Sequence, residues 1–324
     1  MTTTPAPAPA PVSAAPRRGA LRPRGLVWTV LRLHRTAMFV WLGFVAFTAG
    51  FLLWLQGPGA NATQAKLDAF GYGGVLDAAY DQGMLLGFTA GAYNNLFYDP
   101  GTLISLASFG VALFAAGPLT ARELEFGTAQ LVWGQSPSPA RWLATKLAMP
   151  ALAVTAGMSL LVVLYRLLWN AHGNLLIAGI GPRAFYFSIG PATVAAPLLG
   201  LALGALVGLA VRRTLPALAV AGVGYFLVNS FRGNSWPFQG RYQQPEIHSR
   251  SWAVNSKGAV IPDPDCYDNT RCLAQHDVVR FGREYLPSSD YWPRQLLETG
   301  VLLGLTALAL AAAFLLLRKR SNLV

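Results

Sequence analysis

Long uninterrupted apolar stretches dominate the pattern of hydrophobic and polar positions along this chain of 324 residues. A helix needs about 20 largely apolar residues to cross a hydrocarbon core roughly 30 Å thick, because each residue adds about 1.5 Å. Six stretches come close to or exceed that length, at residues 36–55, 101–119, 146–168, 190–211, 215–231 and 296–317. The pattern therefore predicts an all-α integral membrane protein with six transmembrane helices.

The composition supports a membrane location. Hydrophobic residues make up 53% of the chain and charged residues only 12%, which leaves too little charge to cover a soluble protein of this size. The formal net charge is +11. Anionic lipid head groups at the inner membrane surface are the expected partner of that charge, and no nucleic acid is expected.

Basic residues in short loops mark the cytoplasmic side of a membrane protein, and their distribution predicts the orientation. No acidic residue precedes the first apolar stretch, whereas six arginines do, at Arg17, Arg18, Arg22, Arg24, Arg32 and Arg35. The basic run Arg318–Arg320 follows the last stretch. Both termini are therefore predicted to be cytoplasmic, and residues 232–295 are predicted to form a large external loop.

The beginning of the chain differs in character from the apolar stretches. Residues 1–25 start with a run rich in Ala, Pro and Thr and predict a disordered cytoplasmic tail, followed by a single transmembrane domain over residues 26–324. Thr29, Arg32 and Thr36 share one helical face, which predicts an amphipathic interfacial helix before the first span. In the alternative interpretation, this stretch is simply the basic flank of that span.

Two cysteines, Cys266 and Cys272, lie in the loop predicted to be external. An oxidising compartment would allow them to form a disulfide. Two free thiols and a metal site that includes His276 remain as alternatives. The metal site is the weakest of the three, because zinc usually takes four ligands and His276 is the only imidazole nearby. No metal site is predicted.

Charged residues are scarce within the apolar stretches. Lys146, Arg166 and Glu298 all lie close to the end of a stretch, where a long side chain is expected to snorkel towards water. Carriers driven by protons or ions usually place charged residues inside their spans, so the sequence disfavours a self-contained carrier of that kind.

Sequence motifs for catalysis are also missing. A phosphate-binding loop needs glycine followed by lysine, and none of the lysines, Lys66, Lys146, Lys257 and Lys319, follows a glycine. The chain has neither a G-x-S-x-G nor an H-E-x-x-H motif. We therefore predict that the chain is not an enzyme and has no catalytic residue and no cofactor of its own.

The most informative segment lies between the second and third apolar stretches. It reads TARELEFGTAQLVW from Thr120 to Trp133 and GQSPSPARWLATKL from Gly134 to Leu147. This segment resembles the corresponding loop of the membrane subunits of ABC-2 type transporters, with Glu123, Gly127, Thr128, Arg141 and Lys146 at the matching positions. The order of spans and the external loop extend the resemblance over nearly the whole chain, and the loop is similar to that of actinobacterial members.

The resemblance implies the permease subunit of an ATP-driven exporter in the plasma membrane of a bacterium. Its implied partners are two copies of a separate ATP-binding subunit, which would carry the ATP and magnesium, and a second copy of the permease or a paralogue. The transported substrate is not indicated. The alternatives are a non-transporting membrane anchor or sensor of the same architecture and, less favoured, a membrane-embedded enzyme.

A short helix in this loop is expected to couple the permease to the ATPase by docking into a groove on that partner. Its apolar residues, including Leu124, Phe126 and Leu131, would anchor the contact, and Gly127 would allow close approach. The predicted coupling residues are Arg122, Glu123, Glu125, Gly127, Thr128, Arg141 and Lys146. In the alternative interpretation, this is an ordinary polar loop whose acidic residues meet Arg141 and Lys146.

Two further sets of residues within the spans are candidates for helix packing and for the transport pathway. Gly200, Gly204 and Gly208 recur every four residues and favour close helix packing, either within one subunit or between two subunits. Tyr225 and Asn229, near the outer end of the fifth stretch, are candidate residues of the transport pathway.

Overall fold

The structure is a computed structural model that describes residues 26–69, 91–134, 138–175, 185–234, 251–262, 264, 266, 270–283 and 291–321. Within these residues the chain is a helical bundle with one small β-sheet. The tail predicted for residues 1–25 lies outside the described residues.

The described part of the first half of the chain consists of helices joined by short turns. Helices α1 Leu26–Leu33 and α2 Arg35–Trp54 are followed by a π-helical turn, Leu55–Gly59, and by α3 Ala60–Ala69. Helix α4 Gly91–Phe114 continues through a second π-helical segment, Ala115–Ala121, into α5 Arg122–Glu125, and α6 Thr128–Trp133 follows.

The second half contains the longest helices and the strands. Helices α7 Pro139–His172, α8 Pro191–Val211 and α9 Thr214–Asn234 come first, with a 3₁₀ turn at Gly173–Leu175. Strands β1 Ser251–Asn255 and β2 Val260–Pro262, helix α10 Thr270–Gln275, strand β3 Val278–Arg283 and helix α11 Tyr291–Ser321 complete the described chain.

Among the described residues, six helical stretches are long and apolar enough to cross a membrane, which agrees with the predicted number. We number them spans 1 to 6: Arg35–Ala69, Asn95–Glu125, Pro139–His172, Pro191–Val211, Thr214–Arg232 and Tyr291–Arg320. Several are longer than their apolar stretches, because a helix continues into polar sequence after its hydrophobic part has ended. Span 3, for example, begins at Pro139 and not at Lys146.

Two of the spans continue past a proline by changing helix type. Pro58 lies within the π-helical turn of span 1, and Pro118 lies within the π-helical segment of span 2. Proline lacks an N–H group and its ring collides with the preceding turn of an α-helix. The wider π turn accommodates it, so the chain stays helical where a proline usually ends a helix.

Span 4 is the most buried of the six and lies at the centre of the bundle. A Cβ atom at Gly204 would overlap the carbonyl oxygen of Ala112, and one at Gly208 would overlap that of Ala116. The glycine stripe therefore packs against span 2 within one subunit, which is the first of the two alternatives considered from the sequence.

The loop predicted to be external contains a three-stranded antiparallel sheet in the order β2-β1-β3. Ala253 at its centre pairs with Ile261 on one side and Phe281 on the other. Cys266 and Cys272 are joined by a disulfide beside α10. No strand was predicted here, because none of the segments SWAVN, VIP and VVRFGR alternates apolar and polar residues regularly along its length.

The bundle has two ends of different character. At the end that we call the basic end, span 2 ends near Arg122, spans 4 and 5 meet at Arg212, and Arg320 of span 6 donates a hydrogen bond to the carbonyl oxygen of Leu209. The opposite end, the aromatic end, holds a cluster of packed rings that includes Phe97, Tyr165, Trp169 and Phe185.

Helix α1 is separate from span 1 and ends at Leu33. The Arg32 guanidinium lies over the Trp28 ring at 5.0 Å from its centroid, and Trp28 and Leu33 are both exposed. Its position in the membrane interface stays a prediction.

Candidate functional site

The segment from Arg122 to Lys146 lies at the basic end and contains all seven predicted coupling residues. Its two short helices, α5 and α6, are separated by Gly127, whose φ angle is +70°. Glycine adopts this left-handed conformation without strain, so the sharp reversal between the helices depends on it. Apart from its neighbours in the chain, no described residue has an atom within 4 Å of the position that a Cβ at Gly127 would take.

Lys146 is the buried anchor of this segment. Its side chain is only 2% exposed, and its Nζ lies 2.5 Å from Oε1 of Glu123. The same Nζ donates a hydrogen bond to the carbonyl oxygen of Leu119 at 2.6 Å and lies 4.7 Å from the centroid of the Trp142 ring. The expectation that Lys146 snorkels to water is therefore wrong, because a carboxylate and a carbonyl group satisfy its charge inside the protein.

Glu125 connects the segment to span 5. Its Oε2 accepts hydrogen bonds from the backbone N–H of Thr214 at 2.8 Å and from the Thr214 hydroxyl at 2.5 Å. Thr214 is the first residue of α9, where unpaired N–H groups and the helix dipole favour a carboxylate. Glu123 and Glu125 thus hold α5 against two different spans.

Helix α6 folds back on the start of span 3. The Thr128 hydroxyl donates to the carbonyl oxygen of Glu123 at 3.2 Å, and the Trp133 and Trp142 rings meet edge to face with 5.6 Å between their centroids. Ser138 caps α7 by accepting a hydrogen bond from the Arg141 backbone N–H at 3.3 Å. These contacts fix α6 in place without using its outer surface.

The outer surface of the segment from Arg122 to Lys146 carries two large apolar side chains, one before α6 and one within it. Phe126 is 71% exposed and Leu131 is 69% exposed, although Leu124 and Trp133 in the same segment pack against the core. Arg122 and Arg141 are exposed in the same segment. We call Arg122, Phe126, Leu131 and Arg141 the docking face, because exposed apolar side chains among charges are typical of interaction surfaces.

Of the predicted coupling residues, some make internal contacts and others, Arg122 and Arg141, are exposed. Glu123, Glu125, Thr128 and Lys146 make internal contacts, so the alternative in which an acidic residue meets Lys146 holds for Glu123. Across the described ranges no ion pair involves Arg141. The sequence pattern could not assign these groups, because the partners are brought together by helix packing.

His34, which is not among the predicted residues, lies close enough to the Lys146–Glu123 ion pair to be affected by both charges. Its ring meets Phe114 edge to face at 5.5 Å between centroids, and its Nε2 is buried with no hydrogen-bond partner among the described residues. Burial, together with the positive charges of Lys146 and Arg122, lowers the pKa of His34 to about 4, and the negative charge of Glu123 opposes this shift. The imidazole is therefore neutral at physiological pH.

A second buried ion pair lies at the aromatic end and joins spans 5 and 6. Arg232 donates from Nε at 2.8 Å and from Nη2 at 2.5 Å to Oε1 of Glu298. Glu298 is 0% exposed, so the expectation that it snorkels is also wrong. Its Oε2 has no hydrogen-bond partner among the described residues.

Neighbouring contacts hold this pair in position. The Arg232 guanidinium lies 5.1 Å from the centroid of the Phe187 ring. Gln295, one turn before Glu298, donates to the carbonyl oxygen of Tyr186 at 2.6 Å and accepts from the backbone N–H of Ala192 at 3.2 Å. Span 6 is thereby fastened to the segment that leads into span 4.

The comparisons with known proteins give one match. A family model described as ABC-2 membrane transporter related matches residues 42–233, which is more than half of the chain. The matched range includes the whole segment from Arg122 to Lys146 and the Arg232 half of the second ion pair. Searches among curated proteins and solved structures find no significant match.

Proposed function

Since the chain belongs to the ABC-2 membrane transporter related family of membrane permeases, we propose that it is the membrane subunit of an exporter that is driven by a separate ATP-binding subunit. Members of this family are the membrane components of transporters and are not themselves catalytic. The ATP and magnesium would therefore be held by the partner.

The observation that carries the proposal is the docking face at the basic end. Phe126 and Leu131 are exposed in a segment that is otherwise anchored by internal contacts. Large apolar side chains that are exposed on the free protein often mark a protein contact, and Arg122 and Arg141 would orient the partner and speed its approach. A groove with apolar walls and acidic rims on the ATPase fits this surface.

The internal contacts of the segment suggest how movement of the ATPase reaches the spans. Glu123 ties α5 to span 3 through Lys146, and Glu125 ties the same helix to span 5 through Thr214. A displacement of the docking face would therefore move both spans together. In this interpretation Glu123, Glu125 and Lys146 are positioning residues, while Phe126 and Leu131 touch the partner.

The proposal includes an orientation and an assembly. The basic end would face the cytoplasm of a bacterial cell, because arginines there obey the positive-inside rule and ATP is found on that side. Both termini would be cytoplasmic, and the strand-containing loop would be external. Two copies of the ATPase would work with two copies of this chain or with one copy and a paralogue.

The test is to co-express the chain with a candidate ABC ATPase encoded beside it and to purify the complex through a tag on this chain. The double variant Phe126→Ser/Leu131→Ser should lose most of the ATPase. Leu215→Ser is the matched control, because Leu215 is also an exposed apolar residue near the basic end but lies outside the docking face. This control should recover as much ATPase as the wild-type chain.

Two outcomes would contradict the proposal. Equal loss of the ATPase in Leu215→Ser would mean that the docking face has no special role. If the folded wild-type chain recovered no ATPase at all, the membrane anchor or sensor and the membrane-embedded enzyme would become the better interpretations. Substituting Glu123 and Glu125 is a poorer test, because the loss of internal contacts would be confused with the loss of docking.

A further inference from the structure

The strand-containing loop holds a cluster of side chains that bind metals in other proteins, and the coupling segment does not explain it. The Sγ atoms of Cys266 and Cys272 and a ring nitrogen of His276 all lie within 4.8 Å of one another. In this structure the two sulfurs form a disulfide. The cluster therefore has a second chemical state, in which the reduced sulfurs are thiols and can become ligands of a cation.

Two stretches of backbone bring the three ligand atoms together. Cys272 lies in α10, and the backbone N–H of His276 donates to the carbonyl oxygen of Cys272 at 3.0 Å, so the helical turn continues as far as His276. Residues four apart on such a turn are neighbours on its surface. Cys266 reaches the same point from the segment before α10, and its Cα lies 5.4 Å from that of Cys272.

Hydrogen bonds hold the His276 side of the cluster independently of the disulfide. Oδ2 of Asp277, the next residue, accepts from the Ser256 backbone N–H at 3.2 Å and from the Ser256 hydroxyl at 2.5 Å. Ser256 follows β1, which pairs with β2 and β3. The end of α10 is thus tied to the sheet, and we expect His276 to keep its place when the disulfide is reduced.

The exposure of the three side chains gives a cation a way in. Cys266 is only 3% exposed, Cys272 is partly exposed and His276 is exposed. A cation can therefore enter from the solvent on the His276 side and be held against the buried sulfur. An entry path of this kind is one requirement of a metal site.

The donor set favours zinc. Two thiolates and one imidazole are typical zinc ligands, and two cysteines with one histidine and a water molecule form a known zinc coordination. The water supplies the fourth ligand that the sequence lacks. Two thiolates also balance the charge of Zn²⁺, so the buried sulfur of Cys266 would carry no unbalanced charge. Calcium and magnesium are disfavoured because they take oxygen ligands.

The geometry requires only a local adjustment. Zinc–sulfur bonds of about 2.3 Å at a tetrahedral angle place two sulfurs roughly 3.8 Å apart. Once the disulfide is reduced, rotation of the two cysteine side chains about their Cα–Cβ bonds allows this separation without moving the Cα atoms, which are 5.4 Å apart.

We propose that Cys266, Cys272 and His276 form a zinc site that exists only when the disulfide is reduced. A dithiol donor would supply the two electrons, so that its own thiols become a disulfide while the Cys266–Cys272 disulfide becomes two thiols. Binding of Zn²⁺ then releases the two thiol protons to water and forms two Zn–S bonds and one Zn–N bond. The loop would exchange a covalent cross-link for a metal cross-link. This inference goes beyond the proposed function and does not rest on it.

The experiment measures zinc binding to the full chain in a neutral maltoside detergent, after purification through a tag that contains neither histidine nor cysteine. One sample is reduced with a phosphine, which leaves no competing thiol and is removed without oxygen, and the other stays oxidised. Titration against a chromophoric chelator should find about one tightly bound zinc ion per reduced chain and none in the oxidised chain. No binding to the reduced chain, or equal binding to both, would overturn the proposal.

The variant His276→Gln tests the nitrogen ligand while it keeps both cysteines. Loss of an outer contact of a metal ligand typically costs about 10–100-fold in affinity, so loss of the ligand itself should weaken zinc binding at least about tenfold. His172→Gln is the matched control, because His172 lies at the end of α7 and is not one of the three ligands. Wild-type affinity in His276→Gln, or an equal loss in His172→Gln, would overturn the three-ligand site.

Cobalt tests the sulfur ligands directly. Co²⁺ that is bound by thiolates shows sulfur-to-metal charge-transfer absorption in the near ultraviolet, which oxygen and nitrogen ligands do not produce. The reduced chain should show this absorption and the oxidised chain should not. If the reduced chain bound cobalt without it, the cation would lie elsewhere and the proposal would be wrong.

Discussion

Each end of the bundle buries one ion pair, and the two pairs differ in how completely they are satisfied. At the basic end Lys146 has both the Glu123 carboxylate and the Leu119 carbonyl group as partners. At the aromatic end two nitrogens of Arg232 donate to the same oxygen of Glu298, Oε1. The other carboxylate oxygen, Oε2, has no hydrogen-bond partner among the described residues. The first pair holds helix α5 against span 3, and the second joins spans 5 and 6.

The depth of burial differs as well. The Glu123 side chain is 13% exposed, whereas Glu298 is completely buried. A charge that loses its partner near the surface can recover water, but one in the interior cannot. Two ion pairs of the same chemical type that both join helices are therefore expected to differ in how much stability is lost when one partner is removed.

The largest effect on stability is expected from Glu298→Gln, which leaves the Arg232 charge buried without its partner. We expect a loss of about 3–5 kcal/mol in the free energy of unfolding, as is typical when one half of a buried ion pair is removed. Denaturant unfolding in detergent measures it. The double variant Arg232→Gln/Glu298→Gln should recover most of the loss, and equal loss in the two variants would show that the pair is not the cause.

A smaller effect is expected at the basic end from Lys146→Met. The Glu123 carboxylate would lose its partner but is partly exposed and can be hydrated, so we expect a loss of about 1–3 kcal/mol in the free energy of unfolding. The same unfolding measurement, with the double variant Glu123→Gln/Lys146→Met as control, checks it. A loss as large as that of Glu298→Gln would remove the distinction between the two ends.

The smallest effect concerns His34 and depends on pH. Its pKa is about 4 in the folded chain and near 6.5 in the unfolded chain, so the unfolded chain binds more protons between these values. The His34 contribution is therefore complete above pH 6.5 and is lost as the pH falls towards 4. The melting temperature of the wild-type chain should decrease more between pH 7.5 and 5 than that of His34→Gln, which cannot take up the proton.

An equal decrease in melting temperature for the two proteins would show that His34 is not responsible. The groups that act on its protonation are Lys146, Glu123 and Arg122, while Phe114 packs against the ring. The Lys146→Met variant removes the nearest opposing charge, so it should reduce the pH dependence in the same direction.

The sequence predicted what depends on local composition. The apolar stretches identified the six spans of the described chain, because a long run of apolar residues must leave water, either in lipid or inside the protein. The segment from Thr120 to Leu147 was also identifiable, since its motif lies in one continuous piece of sequence. Helix ends were less well predicted, because Pro58 and Pro118 are absorbed by π-helical turns that leave no distinct pattern.

The partners of the charged residues were not predictable. Glu298 meets Arg232 across 66 positions of sequence, and their contact depends on how spans 5 and 6 pack. Leu124 and Phe126 have similar apolar character, yet the first packs inward and the second is exposed. The difference arises because two residues correspond to about 200° of rotation around a helix axis, so Leu124 and Phe126 point towards opposite surroundings at the end of α5.

The π-helical segment Ala115–Ala121 gives span 2 a place where its two halves can rotate relative to each other. A π turn contains one residue more than an α turn, and one residue corresponds to about 100° of rotation around the helix axis. If this segment converted to α-helix, the part of span 2 that carries Ser105 and Ser108 would twist relative to Glu123 by that amount. A displacement of α5 at the basic end would then be accompanied by a rotation of the part of span 2 that carries Ser105 and Ser108.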